Sequence, residues 1–172
     1  VAMIAGAPSW VKMLLEKIIE RYELNNIHEI WPHLSVYTWG AISITPYKSQ
    51  IEAMMGHPIH YIESYLCSEG FVAAQTKINA SGMGLVFRNN TYFEFIPFNE
   101  ENFDETGDVK PGAKALDLDE VVEGVNYAIL ISTCAGAWRY LIGDVVKFTS
   151  VEKNEIIITG RTKLLKCPST SP

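Results

Sequence analysis

The sequence predicts a mixed α/β fold, in which an α/β layer with a mixed sheet joins a β-rich portion. Two helical patterns alternate with strand-like runs in the first half. From about residue 83 onward the helical period disappears, and apolar runs are separated by Gly, Asn and Asp. The 172 residues, with 48% hydrophobic content, suffice for one substantial core and part of another.

Each element has a local reason. "APSWVKMLLEKIIERY" predicts a helix, with Trp10, Leu14, Ile18 and Tyr22 on one stripe and Val11, Leu15 and Ile19 beside them. Pro8 suits its first turn. "WPHLSVYTWG" predicts a loop leading into a strand that ends at Gly40. "TPYKSQIEAMMG" predicts a second helix, with Thr45 as N-cap, Pro46 at the first helical position and Gly56 as the stop. "PIHYIES" and "FVAAQTKI" are expected to be strands. "MGLVFRNNTYFEFIP" predicts a hairpin about Asn89 and Asn90. "FNEENFDETGDVKPGAK" is polar and acidic, with Gly and Pro, which predicts a surface loop. "ALDLDEVVEGVNYAILIST" predicts a short strand, a turn at Gly124 and a strong strand. "WRYLIGDVVKFTS" and "NEIIITGRTK" predict two more, each with a glycine break. The resulting division is 1–82, 83–163 and a tail, 164–172.

Composition excludes several classes. A net charge of −6 and the absence of a Lys/Arg run argue against nucleic-acid binding. No apolar stretch approaches the ~20 residues of a membrane-spanning helix. The start, "VAMIAGAPSW", has no basic region, so it does not read as a signal peptide. The three cysteines, Cys67, Cys134 and Cys167, form no C-x-x-C and suggest neither zinc nor a disulfide framework. A reducing cytoplasm is the default expectation. His28, His33, His57 and His60 lack metal-ligand spacing.

Three stretches could carry chemistry. In "ESYLCSEG", residues 63–70, a carboxylate and an aromatic ring stand at a strand end, where open α/β sheets usually bind ligands. Tyr65 could offer its face to a purine or be a half-buried strand residue. Glu69 could hold Mg²⁺ together with phosphate oxygens or be a solvated acid. Ser68 lies outside any G-x-S-x-G elbow, which excludes a hydrolase nucleophile. In "WRYLIGD", Asp144 follows Gly143 and could accept hydrogen bonds from a ribose diol or cap a turn. Arg139 could bind a carboxylate or phosphate through both arms of its fork, or pair with a surface acid; Glu94 in "YFEFIP" is expected to pair structurally with an arginine. In "ITGRTK", Arg161 could reach phosphate or ribose, or be a loop cation; Lys163 has the same two readings. Asp117 and Asp119 are expected on one face of a strand, toward water. Neither G-x-G-x-x-G nor G-x-x-x-x-G-K occurs, so a phosphate cradle is missing from this stretch of chain.

The order of these motifs is more specific than any one of them. "APSW", "WPHL", "TWG", "YLCSEGFVAAQ", "YFEFIP", "GVNYAILISTCAGAWRYLIGDVVKF" and "ITGRTK" together resemble the Gretchen Hagen family of acyl acid–amido synthetases, with a texture closer to its bacterial branch. The resemblance reaches to about Lys163. It implies the fold of the large N-terminal domain of an adenylate-forming enzyme. It also implies a two-step reaction: a carboxylic acid attacks the α-phosphate of ATP, with Mg²⁺ offsetting charge, and an amine, usually an amino acid, then displaces AMP. By the same resemblance, Tyr65 lies against adenine, Glu69 holds Mg²⁺ or the phosphate region and Ser68 lines the α-phosphate or acyl end. Asp144 and Arg161 would reach the ribose hydroxyls, and Gly40 would stand beside the nucleotide. Trp138 stands where the family commonly has Tyr, and Cys67 where Ala or Ser is usual. "LLKCPSTSP" departs from the polar hinge expected after Lys163. The family's phosphate loop is expected upstream of Val1 and its mobile C-terminal domain downstream of Pro172, so the chain alone is expected to be inactive. An acyl-CoA ligase and a degenerate, non-catalytic binding module are the alternatives. If exposed, Trp10, Leu14 and Ile18 are expected to favour self-association.

Overall fold

The computed structural model describes residues 1–78 and 80–163. Cys167 and the 164–172 tail lie outside the described residues. The chain divides into two compact units, Val1–Met83 and a second that starts at Gly84.

The first unit is the α/β layer. Strand β1 (Met3–Ala5) pairs in parallel with β2 (Val36–Trp39), and β2 pairs in parallel with β3 (His60–Cys67). Strand β4 (Gly70–Ala74) returns antiparallel to β3, so the sheet is mixed. Strand β1 is too short to show a period, and the sequence reading passed over it. Helix α1 (Pro8–Tyr22) connects β1 toward β2, with Pro8 in its first turn. Its buried residues are Pro8, Val11 and Leu15, whereas Trp10 is 74% exposed and Leu14 51%. The helical period was therefore read correctly, but its buried stripe is the neighbouring one. Trp10, Met13 and Leu14 instead line an open hollow of about 510 Å³.

Helix α2 (Thr45–Ala53) starts one residue earlier than expected. Thr45 is its first helical residue rather than its cap, and its N–H is bonded by the Ser43 hydroxyl at 3.3 Å. The helix closes at Met54, before Gly56. Gly56 has another task, for its N–H donates to His28 Nδ1 at 2.8 Å while the far ring nitrogen of His28 bonds the Leu34 carbonyl at 2.8 Å. That places a buried histidine in the packing, as a core residue. Val11, Leu15, Ile27, Leu34, Tyr37, Ile44, Ile51 and Ile59 form the core between the helices and the parallel strands.

The second unit is antiparallel. Strand β6 (Thr91–Pro97) pairs with β7 (Asn126–Thr133), β7 with β8 (Tyr140–Ser150), and β8 with β9 (Glu155–Arg161). Phe95, Tyr127 and Phe148 meet edge to face at its centre, with Phe95 and Phe148 centroids 5.1 Å apart. The expected hairpin about Asn89 and Asn90 does not form. The preceding strand β5 (Met83–Leu85) instead runs to β9, where the Leu85 N–H donates to the Asn154 carbonyl at 3.0 Å. Alternation identifies a strand but does not name its partner. Asp117 lies in an irregular segment after a single bridge at Leu116, not on a strand, and its carboxylate accepts from the Tyr92 hydroxyl.

Among the described residues, no helix is long and apolar enough to cross a membrane.

Candidate functional site

In the first unit, β3 carries the "ESYLCSEG" stretch. Tyr65 and Cys67 lie within the strand, and Ser68 and Glu69 form the two-residue turn into β4. Ser68 is exposed and Glu69 partly exposed at the tip of this hairpin. Tyr65 is only 4% exposed, opposite Ala73, beside a register shift between Tyr65 and Leu66. The side chain of Cys67 packs back, its thiol donating to the Gly70 carbonyl at 3.3 Å. Burial pushes that thiol above its usual range, with the Glu69 charge acting in the same direction. Cys67 is thus a packing residue and not a thiolate nucleophile.

Gly40 follows β2 and lies against β3. A Cβ at this position would sit 2.3 Å from the Ser64 carbonyl oxygen, a distance no side chain tolerates. The Ser64 hydroxyl in turn donates to the Trp39 carbonyl at 3.2 Å. Gly40 and Ser64 therefore fix the end of β2 to β3 next to Tyr65. Ser64 escaped the sequence reading, since its contact depends on parallel register between residues far apart in the chain. Glu63, paired in register with Trp39, has its carboxyl pushed above the usual range by burial.

In the second unit, Asp144 on β8 and Arg161 on β9 are register partners. Arg161 Nε donates to Asp144 Oδ1 at 2.7 Å, with the Asp144 side chain 13% exposed and that of Arg161 57%. Two residues singled out separately in the sequence are thus brought together as a cross-strand pair. Gly143, at φ +89°, lies inside β8; the chain turns earlier, at residues 134–139. Arg139 is engaged elsewhere. Its Nε and Nη2 reach the two oxygens of Glu94 on β6, both at 3.0 Å. The structural readings of Arg139 and Glu94 hold.

Among the described residues no group of three His, Cys, Asp or Glu could hold a metal by itself. Mg²⁺ usually takes one or two carboxylates plus phosphate oxygens. The lone carboxylate of Glu69 at the hairpin tip fits a nucleotide-borne Mg²⁺ and not a dedicated protein cage.

The fold is similar to part of the fold of adenylate-forming enzymes. It is similar to the GH3.15 acyl acid amido synthetase, with a TM-score of 0.61 and 21% identity, covering 84% of this chain and 25% of that one. It is also similar to the Vibrio cholerae adenylation domain AlmE in complex with glycyl-adenosine-5′-phosphate, with a TM-score of 0.55 and 12% identity, covering 94% and 31%.

Residues 84–160 match the GH3 family central domain, so most of the second unit is GH3-family sequence, and the resemblance read from the motifs stands. The probable indole-3-acetic acid-amido synthetase GH3.6 of Oryza sativa subsp. japonica is 28% identical over 84% of this chain and 30% of its own length. The jasmonoyl–L-amino acid synthetase JAR4 of Nicotiana attenuata is 32% identical over 70% of this chain and 21% of its own. This chain therefore spans less than a third of the length of these relatives.

Proposed function

We propose that this chain is the central part of an ATP-dependent acyl acid–amido synthetase. Its full-length protein adenylates a carboxylic acid and passes the acyl group to an amine, in the usual case an amino acid. The single observation that carries the reading is the Asp144–Arg161 pair, with Asp144 inside the residues that match the GH3 family central domain and Arg161 directly after their end. An ionised carboxylate can accept hydrogen bonds from both hydroxyls of a vicinal diol, and a neighbouring guanidinium donates into the same region. That is the chemistry ribose asks for.

The remaining roles follow the motif order. Glu69 would hold Mg²⁺ at the phosphates, where the ion offsets their charge. Ser68, exposed beside it, would line the α-phosphate or acyl end. Gly40, which keeps the β2 end close to β3, would stand beside the nucleotide. Tyr65 has the least support as an adenine neighbour, since its ring is covered. In the first step a carboxylate oxygen of the acid bonds to the α-phosphorus and pyrophosphate leaves. In the second, the amine nitrogen bonds to the acyl carbon, AMP leaves and the nitrogen loses a proton. The protein's contribution is to hold the two reactants in line and to stabilise charge.

The test is pyrophosphate release by the full-length protein with MgATP and a panel of carboxylic acids, beside a Glu69→Ala variant. Release that requires both an acid and Glu69 is the expected result. Adding amino acids or coenzyme A then identifies the acceptor and separates the amide from the thioester product. A protein that binds no ATP would sink the enzyme reading and leave a non-catalytic binding module.

A further inference from the structure

The acidic segment expected to be a plain surface loop makes a specific grip on the end of β9. Its base is anchored: Phe103 is 4% exposed and bridges to Val109. Asp104 Oδ1 organises the tip, accepting from the N–H groups of Thr106 and Asp108, each at 2.9 Å, and from the Thr106 hydroxyl at 2.6 Å. The tip then lies on Thr162. Gly107 has φ +80°, and a Cβ there would stand 1.8 Å from the Thr162 carbonyl oxygen. The adjacent Asp108 pairs with Lys163 at 2.6 Å. That pair is more than half exposed on both sides and contributes little by itself.

Thr162 closes the connection to the neighbouring strand. Its N–H donates to the Gly143 carbonyl at 2.8 Å and its hydroxyl to the same oxygen at 3.3 Å. Gly143 directly precedes Asp144, and Thr162 directly follows Arg161. The loop tip, the Thr162 backbone and the Gly143 carbonyl therefore form one continuous support immediately beside the Asp144–Arg161 pair.

We propose that residues 104–108 act as a clamp on the end of β9, with Gly107 as the positioning residue, and that the clamp holds Arg161 against Asp144 in the geometry that recognises the ribose hydroxyls. This rests on the reading of that pair as a ribose site. A clamp that only stabilised the fold would affect all nucleotides alike. One that positions the pair affects a nucleotide only through the hydroxyls the pair touches.

The experiment compares calorimetric Kd values for ATP and 2′,3′-dideoxy-ATP in the full-length protein, wild type and Gly107→Ala. Wild type should prefer ATP by about tenfold or more, equivalent to about 1.4 kcal/mol. Gly107→Ala should weaken ATP by about tenfold while changing dideoxy-ATP by less than about twofold, which collapses the preference. Asp104→Ala perturbs the same tip more gently and gives the same comparison where Gly107→Ala fails to fold. Asp104→Asn, which keeps an oxygen acceptor for the loop N–H groups, should retain the preference. Equal weakening of both nucleotides, or none, overturns the clamp. A wild type that binds ATP and dideoxy-ATP equally overturns the ribose reading itself, a different and separable failure.

Discussion

Arg161 and Asp144 lie directly opposite each other on β9 and β8, and the guanidinium Nε donates to the carboxylate at 2.7 Å. The pair joins a mostly enclosed acid to a mostly exposed base. Asp144→Ala in the full-length protein should weaken ATP binding by about tenfold or more, as loss of a charge-assisted contact does. Its melting temperature should move by only a few degrees, because a half-exposed ion pair contributes about 1 kcal/mol or less. Calorimetric titration and a thermal melt check the two halves.

Arg139 supplies the contrast. Its fork closes on Glu94 across β7. Arg139→Ala should cost about 1 kcal/mol or less in a urea melt and leave the ATP Kd unchanged. An ATP Kd raised as far as in Asp144→Ala would return Arg139 to the site.

Gly40→Ala tests the approach of β2 to β3. The new methyl would have to displace the Ser64 carbonyl, 2.3 Å away. Overpacking of this kind costs about 1–3 kcal/mol, to be read from the urea midpoint at unchanged slope. A variant of wild-type stability would show that the strand end gives way freely.

Glu63 carries a pH signature. Burial raises its carboxyl pKa in the folded protein above that of the unfolded chain. The folded state thus binds the proton more tightly. The stability linked to that proton is full below the unfolded pKa and is lost as pH rises through the folded value. Glu63→Gln, which stays neutral, should therefore be more stable than wild type at about pH 8, and the gap should close at about pH 4, near the ordinary glutamate pKa. A gap independent of pH would assign the effect to packing.

Much of the local structure was legible in both units. Pro8 and the apolar period specify α1, Pro46 and Ile51 sit within a real α2, and β-branched and aromatic runs specify β3, β7 and β8. The buried face of α1 was not legible, because Trp10-Leu14 and Val11-Leu15 satisfy the same spacing and only packing chooses between them. The 83–97 hairpin misled for a related reason. A strand period and a turn signal fix two strands, while the pairing of β6 with β7 and the return of Leu85 to Asn154 are set by closure of the whole unit.

The same division runs through the candidate site. The sequence by itself determined which residue types stand where: Ser68 and Glu69 beyond a strand, Asp144 beside Gly143, and Arg161 beside Gly160. Tertiary structure decided their relationships. The β8–β9 register made Asp144 and Arg161 a pair, and Arg139 was drawn to Glu94 instead. Parallel strand packing gave Gly40 its reason to lack a side chain, and the folding back of an acidic loop gave Gly107 the Thr162 carbonyl to lie on. Local pattern records the preferences of neighbours along the chain, whereas these contacts arise between segments that meet only when the strands are aligned.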